Sequence, residues 1–93
     1  MKIEIYGIDE DTFKCAGCEM AKRILKEAKL EYEFKRIVKL VDGYPQIDQN
    51  LYEELQTKIP VKKLLMPYIF IDSERVMVRD LSSYLKDKGY DVD

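Results

Sequence analysis

Ile3 and Ile5 alternate with Lys2 and Glu4, and Gly7 closes the run, so residues 2–7 read as a β-strand with one apolar face. Asp9, Glu10, Asp11 and Thr12 follow as a polar loop. Cys18, Ala21, Leu25 and Ala28 then recur at helical spacing, with Ile24 beside them. Glu19, Lys22, Arg23, Lys26 and Glu27 cover the opposite side, which predicts an amphipathic helix over residues 15–29. Residues 31–38 alternate again, with Tyr32, Phe34 and Arg36 on one face and Glu33, Lys35 and Ile37 on the other. Asp42-Gly43-Tyr44-Pro45 has turn composition. Ile47, Leu51 and Leu55 stand four apart and predict a second helix over residues 45–58, which Ile59-Pro60-Val61 breaks. Tyr68-Ile69-Phe70-Ile71 is a continuous apolar run after Met66-Pro67 and reads as a buried strand. Asp72-Ser73-Glu74 is a tight turn leading into a partner strand over residues 75–78. A last helix over residues 81–88 has Asp80 as its cap and Gly89 as its stop.

The predicted order is β-α-β-α-β-β-α. It gives an α/β domain with a four-stranded mixed sheet and helices on both faces. A chain of 93 residues supports one domain over its whole length, residues 1–93, and 46% apolar content supplies one core.

Charge and cysteine usage narrow the chemistry. Sixteen basic and eighteen acidic residues leave a formal charge of -2, which does not suit nucleic-acid binding. The absence of histidine excludes Ser–His and Cys–His nucleophile pairs and His-ligated metals. The opening MKIEIYGIDED lacks the apolar core of a signal peptide, and no stretch reaches the length of a membrane span. A reducing cytoplasm is therefore expected, in which a structural disulfide would not persist.

Cys15-Ala16-Gly17-Cys18 is the candidate reactive group. It lies between the first strand and the first helix, where free N–H groups and the helix dipole favour a thiolate at Cys15. Lys14 adds positive charge, whereas Asp9, Glu10 and Asp11 oppose it. Cys18 falls one turn later on the apolar side, where burial disfavours its charged form. The pattern predicts Cys15 as the attacking thiol and Cys18 as the resolving thiol of a disulfide reductase. Two other readings fit the same residues. Cysteines serve as small core residues, and two thiolates also suit a copper or zinc chaperone of the βαββαβ type. Phe13 stands where such chaperones usually carry Met, and a four-cysteine zinc site is excluded by count.

Cys15-Ala16-Gly17-Cys18 after a first strand, with Met66-Pro67 before Tyr68-Ile69-Phe70-Ile71, resembles the glutaredoxins. The opening Ile5-Tyr6-Gly7, then Phe13 to Cys18, then Ala21-Lys22-Arg23-Ile24-Leu25, looks most like the short glutaredoxins of bacteriophages. The resemblance implies the thioredoxin fold and a cis Met66–Pro67 bond facing the active-site thiols. It implies that the Met66 backbone pairs with a thiol peptide such as glutathione, that Asp80 holds the α-amino end of glutathione, and that Lys14 is the basic residue near the motif. It further implies no bound cofactor or metal, with glutathione as co-substrate. Glutathione or a thioredoxin reductase would be the reductant, and a disulfide-bearing protein such as ribonucleotide reductase the recipient. A monomer in the host cytoplasm is expected. The chain departs from the usual motif, Cys-Pro-Tyr-Cys, and carries Met77 and Val78 where the family has Gly-Gly.

Overall fold

The computed structural model describes residues 1–8, 15–62 and 66–92. Strands β1 (Ile3–Ile8), β2 (Glu33–Val41), β3 (Tyr44–Ile47), β4 (Tyr68–Ile71) and β5 (Glu74–Val76) form one mixed sheet in the order β3-β2-β1-β4-β5. Helices α1 (Ala16–Glu27), α2 (Gln49–Lys58) and α3 (Leu81–Asp87) pack on it, and α3 is entered through a short 3₁₀ turn, Val78–Asp80. Only β1 and β2 run parallel; the other neighbours are antiparallel. The loop expected over residues 9–12 and the positions of Phe13 and Lys14 lie outside the described residues.

Among the described residues the sheet has five strands, so the expected four is corrected. Asp42 and Gly43 both have positive φ, 53° and 80°, which is the backbone of a two-residue hairpin turn. That turn folds residues 44–47 back onto β2, pairing Leu40 with Pro45 and Val38 with Ile47. Pro45 is tolerated there because β3 is an edge strand. The second helix consequently begins at Gln49 rather than at Pro45. Asp48 caps it, its carboxylate accepting the Leu51 N–H at 3.1 Å. Leu55 is buried as the periodicity requires, but Ile47 sits on the edge strand and is exposed.

The expected cap at Asp80 is also corrected. The 3₁₀ turn places its backbone in the helical region already, φ -102° and ψ -4°, and its carboxylate makes no capping bond. An N-cap residue needs extended backbone to reach back to the first free N–H groups. The helix ends follow their local chemistry. Leu30 N–H donates to Leu25 O and Lys29 N–H to Lys26 O, closing α1 with Lys29 at φ 58°. Gly89, at φ 93°, closes α3 in the same way, with Tyr90 N–H donating to Leu85 O.

β1 is central and buried along its whole length. Ile3 and Ile5 face α1 and α3, packing with Ala21, Ile24, Leu25, Leu81, Leu85, Ile69 and Ile71. Tyr6 and Ile8 face α2, packing with Leu55, Ile37, Tyr68 and Phe70. The helices therefore cover both faces, as the apolar periodicities imply. Glu4 shares the α2 face and is 5% exposed. A charge in that position needs partners. Lys58 donates to one carboxylate oxygen of Glu4, and Lys2 lies 3.2 Å from the other, with Lys35 at 3.7 Å. Lys35 also donates to Glu54 at 2.7 Å and to the Tyr6 hydroxyl at 3.3 Å, and that hydroxyl donates to Glu54.

The hydrogen bond from Lys58, aided by Lys2 and Lys35, holds the Glu4 carboxyl below its ordinary value of 4.5 against the opposing effect of burial. Hydrogen bonds from Lys35 and Tyr6 do the same for Glu54. A carboxyl whose folded pKa is depressed contributes stability that is present above its unfolded pKa and lost as pH falls through the folded value. Unfolding midpoints should therefore hold steady at neutral pH and decline as pH drops below 4.5. Glu4→Gln leaves Lys58 facing a neutral group and should cost about 3 kcal/mol, the lower end expected for breaking a buried pair. Denaturant unfolding across pH tests both: a Glu4→Gln protein of native stability would show that the cluster is not an energetic unit.

Candidate functional site

The site forms where β1 ends and α1 begins. Cys15 is the N-cap of α1, with extended backbone at φ -98° and ψ 108°. Its sulfur accepts the Cys18 N–H at 3.3 Å, in the place usually taken by a Ser, Thr or Asp oxygen. Glu19 N–H donates to Cys15 O at 3.0 Å and opens the helical ladder. Cys15 Sγ thus lies against the helix N-terminus, where partial positive charge accumulates. The residue is half-buried and its thiol is free.

Cys18 lies behind it, fully buried and also free. Burial pushes its thiol up to about 12, and the hydrogen bond it shares with Cys15 adds to that. The backbone of Ile8 and the ammonium of Lys22 work in the opposite direction. Its sulfur sits over Gly7, where a Cβ would stand only 2.7 Å from it. Phe34 closes the other side of that space, 3.2 Å from the same point, and the Lys22 ammonium lies 4.5 Å from the Phe34 ring centre.

The remaining expected residues divide. Pro67 follows a cis Met66–Pro67 bond and packs on the motif at Gly17, where a Cβ would stand 2.8 Å from Pro67 Cδ. Gly17, which costs helix propensity, is the residue that admits this approach. Met66 is half-buried and joins Cys15 and Cys18 in the α2-side core. Val78 also faces the motif, with its Cγ1 3.8 Å from the same point at Gly17. Asp80 stands two residues further on, 65% exposed, with the Arg79 guanidinium 4.0 Å away. Lys14 lies outside the described residues. Gly7, Phe34 and Lys22 are site residues that sequence reasoning missed. The chain-end pattern marked Gly7 only as a strand terminus, and helical spacing set Lys22 on the outward face of α1.

The described residues thus define an α/β domain presenting one accessible and one buried thiol at a helix N-terminus. Among them, no group of three or more His, Cys, Asp or Glu side chains is placed to hold a metal ion. No described helix is long and apolar enough to cross a membrane. No protein-family model matches the chain. It is 30% identical over 95 positions to the uncharacterized 11.8 kDa protein of the Gp55-nrdG intergenic region of Enterobacteria phage T4, covering 99% of this chain and 92% of that protein. The chain belongs to the family of that phage protein.

The two thiols should differ sharply in reactivity. Iodoacetamide added to the reduced native protein at pH 8 should label Cys15 and leave Cys18 unmodified until the protein is unfolded, because thiolate and access are both needed. Peptide mass mapping after a time course reads the result. Comparable labelling of the two residues would contradict the buried, protonated state of Cys18.

Proposed function

We propose that the protein is a thiol–disulfide oxidoreductase with a thioredoxin-like arrangement, working through Cys15 and Cys18. The observation that supports it is the pairing of a half-buried sulfur at the α1 N-cap, which accepts the Cys18 backbone N–H at 3.3 Å, with the buried Cys18 thiol one turn behind it. Cys15 thiolate attacks one sulfur of a substrate disulfide, and the other sulfur leaves with the electron pair and takes up a proton. Cys18 then loses its proton and attacks Cys15 Sγ in the mixed disulfide. The substrate's second thiolate leaves, and the protein retains the Cys15–Cys18 disulfide. Two molecules of a small thiol such as glutathione, or a thioredoxin reductase, return that disulfide to the dithiol. A disulfide-bearing protein such as ribonucleotide reductase is the proposed recipient, in the cytoplasm of the host cell.

Met66 and Pro67 form the wall against which an extended thiol peptide lies, and Asp80 reaches its amino end. The alternative, a soft-metal chaperone of the βαββαβ type, fits less well. That scaffold separates its two parallel strands by a third, whereas here β1 and β2 pair directly.

With a glutathione mixed disulfide as substrate, Cys15→Ser should abolish reduction, and Cys18→Ser should stop at a mixed disulfide seen by mass spectrometry. Substrate trapped by Cys15→Ser and not by Cys18→Ser would reverse the two roles. Stoichiometric copper or zinc retained by the reduced protein, with no disulfide turnover, would favour the chaperone. Glutathione should bind more weakly, by about tenfold or more, than to a glutaredoxin with Gly-Gly before the acidic residue, since losing a contact costs ~1 kcal/mol and two are missing. Val78 faces the motif, and Gly17 replaces the usual Tyr. Titration of the Cys18→Ser protein beside such a glutaredoxin measures this, and equal affinity would show that these positions do not touch the ligand.

A further inference from the structure

We propose that Gly7 is a positioning residue for the resolving sulfur: its missing side chain is the socket in which Cys18 Sγ rests over β1. This rests on the redox reading above. Gly7 does not have the positive φ that favours glycine, unlike Gly43 and Gly89, so its backbone does not require glycine. Space does. A Cβ at Gly7 would lie 2.7 Å from Cys18 Sγ, closer than carbon and sulfur approach without displacement, and 3.2 Å from Phe34 Cζ.

The sulfur has little room to retreat. Cys18 is fully buried and its backbone is locked in the first turn of α1, where its N–H is already bonded to Cys15 Sγ. Behind Gly7 the β1–β2 register slips: Gly7 pairs with Arg36 but Ile8 pairs with Val38, leaving Ile37 as an extra residue. This bulge fixes the strand end against which the sulfur rests.

The consequence is a bias between redox states. In the dithiol, Cys18 Sγ occupies the socket. Forming the disulfide brings the two sulfurs to about 2.05 Å and draws Cys18 Sγ off β1 toward Cys15. In that reaction the Cys15–Cys18 bond forms, two protons are released, and two electrons pass to the oxidant, here glutathione disulfide, which becomes two glutathione thiols. A methyl group in the socket crowds the dithiol more than the disulfide, so Gly7→Ala should make the pair more reducing.

Wild type and Gly7→Ala are equilibrated in glutathione buffers of graded ratio, and the disulfide fraction is read by alkylation and intact mass. The expected result is a shift of about tenfold in the equilibrium constant toward the disulfide, about 30 mV for two electrons. Stability is measured alongside in a double-mutant cycle. Gly7→Ala should lower the melting temperature of the reduced protein, and Gly7→Ala/Cys18→Ala should regain most of that loss relative to Cys18→Ala. That arm applies even if Gly7→Ala folds poorly. A Gly7→Ala protein with an unchanged equilibrium constant, or one shifted toward the dithiol, overturns the inference, as does a melting loss that persists without the sulfur. A wild-type chain that forms no Cys15–Cys18 disulfide overturns the redox reading together with this inference. Normal cycling in wild type with any of the former outcomes overturns this inference alone.

Discussion

A strand buried on both faces must satisfy every side chain it carries, and β1 is such a strand. Its neighbours β2 and β4 remove both edges from water, while α1 and α3 cover one face and α2 the other. Ile3, Ile5, Tyr6 and Ile8 meet this demand by apolar packing. Glu4 meets it with Lys58, Lys2 and Lys35, and the Tyr6 hydroxyl meets it with Glu54. Gly7 meets it by having no side chain, which leaves its place to a sulfur from α1. The polar network and the candidate site are thus two outcomes of one constraint on the same strand.

The site itself is assembled from close approaches that glycine permits. Gly7 lets Cys18 reach the sheet, and Gly17 lets Pro67 reach the helix. The first sets the depth of the buried thiol. The second brings Pro67 against the first turn of α1. Cys15 adds a third economy, since its sulfur acts as the helix cap. Its position is therefore tied to the start of α1 and not to a flexible loop rotamer.

Charge around the thiols is distributed unevenly. Lys22 lies over the Phe34 ring, and its field favours a Cys18 thiolate. Burial outweighs it. In the reaction proposed above, a Cys18 thiol held neutral does not attack before the mixed disulfide forms.

Much of this was legible along the chain. The period of two in residues 2–7 and the helical spacing from Cys18 to Ala28 identify β1 and α1, because each backbone geometry repeats its side-chain directions with a fixed period. The apolar run at Tyr68–Ile71 identifies a strand covered on both sides. The Cys-x-x-Cys spacing identifies the thiol pair. Three local readings failed and one contact went unread, for reasons that lie outside local pattern. Asp42-Gly43 composes a hairpin turn, but only pairing with β2 makes Tyr44–Ile47 a strand instead of the start of a helix. Asp80 has capping chemistry, but the 3₁₀ turn that precedes it uses up the backbone geometry a cap needs. Glu4 sits at the polar position of an alternating strand, yet it is buried beside Lys58 of α2, with Lys2 and Lys35 on its other oxygen. Gly7 and Cys18 are separated by ten residues of chain, and nothing in either neighbourhood announces their contact. Periodicity is a one-dimensional record of which face is apolar. Which groups share a space is decided only when the sheet and helices close on one another.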